Sequence, residues 1–382
     1  MTRCDALIVG GGPAGSTCAR ELRHAGWDVV VADRARFPRD KVCAGWLTPR
    51  VFELLQLHPH EYRTAGLTLQ EITAFRTGVI GRRLIETRYP GTVSYAIRRC
   101  EFDNYLLRRA GARVLEGTPV VTLRRSGEGW LVNDTIEARV VVGAGGHFCP
   151  VARHLRGGAE TSRPVIAKEA EFRLEGGDAS RLSDAPELFF CRDLEGYGWC
   201  VRKGNYLNVG IGRRESHDFG RHVKDFVAYL AASHAFTQPA AVSWRGHAYL
   251  ASGSGPRPLA GAGMLVIGDA AGLAYPESGE GICPAIESGH LAAQTLIAAA
   301  RGRSALTIQD LQPYTDAIRR LHPPVPARSP RLRGTVAAIG RALLGSRTFT
   351  RHVVLDRWFL RQAGGAAPQR PSRSTIPFPS TH

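Results

Sequence analysis

At 382 residues, with 43% hydrophobic and 22% charged positions, the chain can bury a sizeable core and hold two domains. No apolar run has transmembrane length, and Asp5 interrupts any export-type segment behind Met1, so the expectation is a cytoplasmic protein. The net charge of +16 is almost all Arg, spread along the chain without a nucleic-acid motif, which argues against a nucleic-acid partner.

Residues 6–9 read as a short apolar strand that runs into Gly10-Gly11-Gly12-Pro13-Ala14-Gly15. A helix over 16–25 follows, ended by Gly26, and then a Val-rich strand over 28–32. In this strand–helix–strand unit Gly10 permits a tight turn, Gly12 lets the backbone approach a pyrophosphate, and Gly15 lets the helix pack on the strand. Asp33 stands 18 residues beyond Gly15, where a carboxylate can accept from a ribose diol. The unit predicts a dinucleotide site without separating FAD from NAD.

Phe102, Tyr105 and Leu106 give residues 101–109 one apolar helical face. Strands are predicted at 114–115, 119–123, 130–132 and 138–142, the last ending in Gly143-Ala144-Gly145-Gly146. Between about 160 and 250 the character shifts to short strands, among them 187–191 and 206–211, with one helix over 226–232. A buried strand over 264–267 leads into Gly268-Asp269-Ala270-Ala271-Gly272, and a long helix covers 282–300. From Arg319 onward the chain is Arg-rich, with one amphipathic stretch over 336–360 and a Gly/Pro/Ser-rich end, 364–382, expected to be disordered. The eight cysteines stand singly, without metal-ligand or iron–sulfur spacing, so no metal is expected. His147, Cys149 and His290 have no constellation around them and are read as structural.

Arg98-Arg99-Cys100-Glu101-Phe102-Asp103, and Gly268-Asp269-Ala270-Ala271 with Pro276-x-x-Gly279-Glu280-Gly281-Ile282, resemble segments of flavoproteins similar to p-hydroxybenzoate hydroxylase. The resemblance implies FAD, held by Gly10, Gly12, Pro13, Ala14, Gly15, Asp33, Arg34, Cys43, Ala44, Gly45, Arg99, Val120, Gly143, Ala144, Gly268, Asp269, Ala270, Gly279, Gly281 and Ile282. Within that superfamily three further segments resemble the geranylgeranyl reductase branch. They are Phe37-Pro38-Arg39-Asp40-Lys41-Val42-Cys43-Ala44-Gly45, Tyr197-x-Trp199-x-x-x-Lys203 with Leu207-Asn208-Val209-Gly210-Ile211-Gly212, and the stretch from Ala285 to Ala293. The chain departs at Ala44, usually glycine, at Val201-Arg202, usually Phe-Pro, and at Gly145, where the superfamily has an acid.

The resemblance implies an α/β fold: a Rossmann-like FAD-binding domain, an inserted, mainly antiparallel β-sheet substrate domain and a helical C-terminal part. The FAD domain is expected at 1–60 plus 92–158 plus 255–302, the substrate domain at 61–91 plus 159–254, the basic helical part at 303–362 and the tail at 363–382. The implied reaction reduces carbon–carbon double bonds of a polyprenyl or similar apolar substrate. Cys43 serves as proton donor with Lys41 lowering its pKa, and Tyr197 and Trp199 form the cavity wall. A small buried residue packed near the flavin is the alternative for Cys43. An FAD monooxygenase and a quinone-linked electron-transfer flavoprotein are the alternative functions. The electron donor stays open between NAD(P)H and ferredoxin, which leaves room for a donor protein. Arg341, Arg347, Arg351, Arg357 and Arg361 alternate with Leu343, Leu344, Phe349, Val353, Val354, Trp358 and Phe359. That pattern suits either a peripheral contact with an anionic membrane or a helix packed on the substrate domain.

Overall fold

The computed structural model describes residues 1–158, 164–174, 183–214, 217–233, 243–253, 255, 257–323 and 333–361, the side chains of 333–336 excepted. The tail at 363–382 lies outside the described residues. Thr2–Val9, Val29–Asp33, Arg113–Glu116, Ile136–Gly143 and Met264–Val266 form a parallel sheet, in which Thr2–Val9 lies between Val29–Asp33 and Ile136–Gly143. Leu7, Ile8, Val30, Val31, Val141 and Val142 are fully buried, because helices cover both faces of a parallel sheet. Val9 pairs with Ala32 on one side and Gly143 on the other, so the strands end level. Gly10, Ala144 and Gly268 therefore follow three strand ends at one edge, the edge where such sheets bind ligands.

Pro13–His24 starts directly on this edge. A Cβ on Gly15 would lie 1.9 Å from the Gly10 carbonyl oxygen, and one on Gly10, at φ +113°, would lie 2.4 Å from that of Ala144. Both positions exclude any larger residue.

The second sheet runs Arg245–Tyr249, Val165–Arg173, Tyr206–Arg213, Gly196–Lys203, Glu187–Phe190, Ala74–Val79, Ile85–Arg88. Every pair is antiparallel except Glu187–Phe190 with Ala74–Val79. Side chains alternate cleanly across it. Phe189, Cys200 and Val209 pack under the helix Phe219–Ser233, while Leu188, Phe190, Trp199 and Val201 face the other way, toward the C-terminal segment. A third, three-stranded sheet joins Trp46–Leu47, Ser94–Ile97 and Leu69–Ile72.

Two sequence expectations are corrected. The strand expected at 119–123 is Leu123–Ser126 instead. Pro119 has no N–H to donate, and the Val121 and Thr122 N–H groups are taken by Asn133 Oδ1, at 2.8 and 3.2 Å. The single stretch expected over 336–360 breaks after the helix Arg333–Leu343, where Ser346 caps Arg347–Phe349 and the chain continues as a π-helical run, Thr350–Phe359. Leu344, Val354, Leu355, Phe359 and Leu360 are buried against the second sheet, so most of the apolar side of this part faces the protein. Among the described residues no helix is long and apolar enough to cross a membrane.

Backbone collision and backbone conformation separate experimentally at two glycines. Gly15→Ala is expected to cost about 4 kcal/mol or more in denaturant unfolding and to release flavin, because the Gly10 backbone cannot yield. Gly26→Ala, at φ +83° with nothing within 4 Å, is expected to cost about 1 kcal/mol.

Candidate active site

One cavity of about 1870 Å³ runs from the level strand ends to the second sheet. At its first end lie Gly10, Gly12, Pro13 and Ala14 with Asp33, Arg34, Val120 and Ala144. Asp33 Oδ2 accepts the Gly11 N–H and Oδ1 the Ala35 N–H, both at 2.8 Å, which ties the glycine loop to the second strand. Gly15, Gly143 and Gly268 lie behind the wall and shape it by close packing. Gly45, at φ +66°, is pressed against the Ile97 carbonyl and Lys203, and Ala270 is buried.

Two helices point uncapped N-termini into this cavity. Pro13–His24 begins after Gly12 and Ile282–Ala299 after Gly281, so neither N-cap residue has a side chain to cap with, although Glu280 accepts the Cys283 N–H in the second helix. Unsatisfied N–H groups and the positive end of each helix dipole suit an anionic group. A Cβ on Gly12 would meet nothing nearer than Arg39, at 3.5 Å, so the loop can be approached closely. These features fit FAD: the amides that follow Gly12 would hold its pyrophosphate, and the Gly279–Ile282 loop would hold the flavin.

Between the two ends stands a charged cluster that the sequence did not announce. Lys41 Nζ is 2.6 Å from His247 Nε2 and 3.8 Å from Asp269. Burial pushes the Asp269 carboxyl up, but a hydrogen bond from His247 and the charges of Lys41 and Arg99 hold it well below the usual carboxylate range. Burial also pushes Lys41 and His247 down. Lys41, expected to act on Cys43, thus turns to His247 and Asp269. The cation in hydrogen-bond contact with Cys43 is Arg99, held in a bidentate pair with Asp103 at 2.8 Å for each bond. Cys43 Sγ also accepts the Gly45 N–H at 3.3 Å.

Toward the second sheet the walls become apolar. Cys43, Ala44, Tyr197 and Trp199 line this region with Phe190, Trp46 and Phe359. The Tyr197 ring lies 6.1 Å from Trp199 and 5.4 Å from Phe359, and Tyr197 Oη donates to the Ser278 carbonyl. Trp199 lies flat across its neighbouring strand, where a Cβ on Gly210 would be 2.2 Å from the ring, and Nε1 donates to Asn208 Oδ1 at 2.7 Å. Glu280 lines the cavity with one carboxyl oxygen lacking a protein partner, and burial pushes it to about 7. Nothing in the glycine motif around it marks that role. Tyr249 packs over Gly279, and like His247 it belongs to the second sheet's outermost strand, where no motif signalled either residue.

A family model described as FAD binding domain matches residues 3–170. The chain is 34% identical to the menaquinone reductase of Mycobacterium tuberculosis over 325 residues, 76% of each chain. It is 30% identical over 321 residues to the geranylgeranyl diphosphate reductase of Rhodobacter capsulatus, covering 77% of this chain and 75% of that one. A geranylgeranyl bacteriochlorophyll reductase-like protein of Thermoplasma acidophilum shares the fold, with a TM-score of 0.68 at 20% identity over 93% of this chain and 91% of that one. The glycine edge, the two uncapped helices and this likeness agree: the chain belongs to the geranylgeranyl reductase-like family of FAD-dependent oxidoreductases.

Proposed function

We propose that the protein saturates an isolated carbon–carbon double bond in the polyprenyl chain of an apolar lipid, a prenylated quinone being the first candidate. The observation that carries this reading is the continuity of one cavity, cationic and glycine-lined at one end and walled by aromatic rings at the other. The names of the reductases similar to this chain, which mention menaquinone and geranylgeranyl groups, support the substrate class. Bound and reduced, FAD would supply the electron pair together with one of the two hydrogens. The residues of the chain do the rest. Tyr197, Trp199 and Phe359 give an extended hydrocarbon flat surfaces and little water. Cys43 Sγ donates the proton that completes the saturated carbon, while Arg99 and the Gly45 N–H hold the sulfur in place.

The test is anaerobic turnover of the chemically reduced enzyme on a menaquinone with an unsaturated side chain. The product is expected to gain two hydrogens. A product carrying an added oxygen atom, formed only in air, would replace this reading with a monooxygenase. Cys43→Ala is expected to lower kcat about 100-fold, with bound flavin unchanged.

We further propose that Arg333–Leu343 rests on an anionic membrane and delivers lipid to the cavity. Ala337, Gly340 and the following Leu344 line the cavity, while Ile339, 56% exposed, and Leu343, 40% exposed, face outward, and Arg347 and Arg351 further along the chain are exposed too. Basic groups beside exposed apolar ones suit the surface of an anionic bilayer. Replacing Ile339 and Leu343 together by Glu is expected to cut sedimentation with anionic vesicles about tenfold. Binding that is equal at low and high salt, or equal in the variant, counts against the contact.

A further inference from the structure

The Cys43 segment is held from behind by buried polar side chains. Glu169 and Glu171 lie two residues apart on Val165–Arg173, so both carboxyls face the same side of the sheet. Glu169 Oε2 accepts the Cys43 backbone N–H at 2.7 Å. Asn208, fully buried, pairs across the sheet with Glu171. Its Nδ2 reaches Glu169 at 3.3 Å, Glu171 at 3.2 Å and the Cys43 carbonyl at 3.5 Å, while its Oδ1 accepts from Trp199. One amide side chain therefore touches the backbone of Cys43 and the ring of Trp199, residues 156 apart in the chain.

The two carboxyls differ in charge partners. Lys203, fully buried, pairs with Glu171 at 2.6 Å and Arg98 joins at 3.0 Å, which holds Glu171 below the usual range although burial opposes it. Glu169 has no ion pair among the described residues, and burial pushes it up to about 7 against the more distant Lys203. The charged groups facing it are Lys203 and Glu171, and Arg245 on the neighbouring strand.

We propose that Glu169 and Asn208 are positioning residues that clamp the Cys43 segment to Trp199, so that the thiol and the aromatic wall keep one spacing. The strength of the clamp follows the ionisation of Glu169, because a carboxylate accepts the Cys43 N–H more strongly than a neutral acid does. The clamp's role in catalysis rests on the function proposed above, but the clamp itself is measurable without substrate.

The measurement is hydrogen exchange by mass spectrometry on the FAD-loaded full chain at pH 6 and pH 8, corrected for intrinsic rates. The peptide carrying the Cys43 amide is expected to be about fivefold less protected at pH 6, and Glu169→Gln is expected to remove that difference. Equal protection at the two pH values in the unaltered protein overturns the proposal, as does the same pH dependence in the variant. The unaltered protein decides this even where the variant fails to bind flavin. Asn208→Ala is expected to lower Cys43 protection about tenfold, and Trp199→Phe, which removes the indole donor together with one ring of the side chain, about threefold. Unchanged protection in both removes Asn208 from the clamp. Fivefold looser exchange at pH 6 with unchanged kcat would remove the clamp from catalysis, whereas an unchanged kcat in Cys43→Ala would refute Cys43 as proton donor and leave the clamp standing.

Discussion

The site is built outward from one close approach, the Gly15 backbone on the Gly10 carbonyl oxygen. A helix that begins this near a strand end must leave its first amides facing outward. Asp33 then fixes the loop by accepting from Gly11 and Ala35, and level pairing through Val9 brings Ala144 to the same edge. A second close approach sets where Ile282–Ala299 can lie. A Cβ on Gly289 would meet the Ala14 carbonyl at 2.6 Å, so the two helices carrying the uncapped N-termini pack backbone to backbone. Loss of either glycine would separate the two anion-binding ends.

Charge is segregated along the cavity. Arg34, Arg39, Lys41 and Arg99 stand near the glycine edge, where a phosphate-bearing cofactor brings negative charge. Several of these cations are already engaged by carboxylates, as Arg39 and Arg99 are by Asp103, so they are fixed in place before a ligand arrives. Beyond Cys43 the rings of Phe190, Tyr197, Trp199 and Phe359 dominate the wall, and the Asp193 and Arg213 charges there offset each other in an ion pair at 2.6 Å.

The glycine edge was legible in the sequence because each of its residues answers a local constraint, such as a turn, a close approach or a helix start. Gly10, Gly12, Asp33 and the uncapped start at Ile282 all stand where the spacing put them. Lys41, His247 and Glu169 were not legible, because their meeting depends on the second sheet. Lys41 and His247 are 206 residues apart, and Cys43 and Glu169 are 126 apart. No local pattern encodes which strand of that sheet passes behind Cys43. The mistaken strand at 119–123 has the opposite cause, since its apolar residues carried β propensity while one Asn side chain at 133 took the N–H groups a strand needs.

The apolar end is closed by the part of the chain that the sequence motifs do not reach. Phe359 stacks on Trp46 at 5.3 Å and meets Tyr197 edge-on at 5.4 Å, and Tyr89 Oη donates to Asp356 at 2.7 Å, which fastens this segment to the second sheet. A π-helical run advances fewer degrees per residue than an α-helix, and here it buries Val354, Leu355 and Phe359 on one side while Arg351 and Arg357 stay in solvent. The motif-bearing core therefore shapes the glycine end of the cavity, whereas the C-terminal segment adds Leu344, Phe349, Trp358 and Phe359 to the wall beyond Cys43. These four positions can change without touching the Gly10–Gly15 contact or the Asp33 bonds. On the function proposed above, the length and branching of the hydrocarbon accepted would diverge through these positions while the proposed role of Cys43 is kept, which would assign substrate choice to the C-terminal wall.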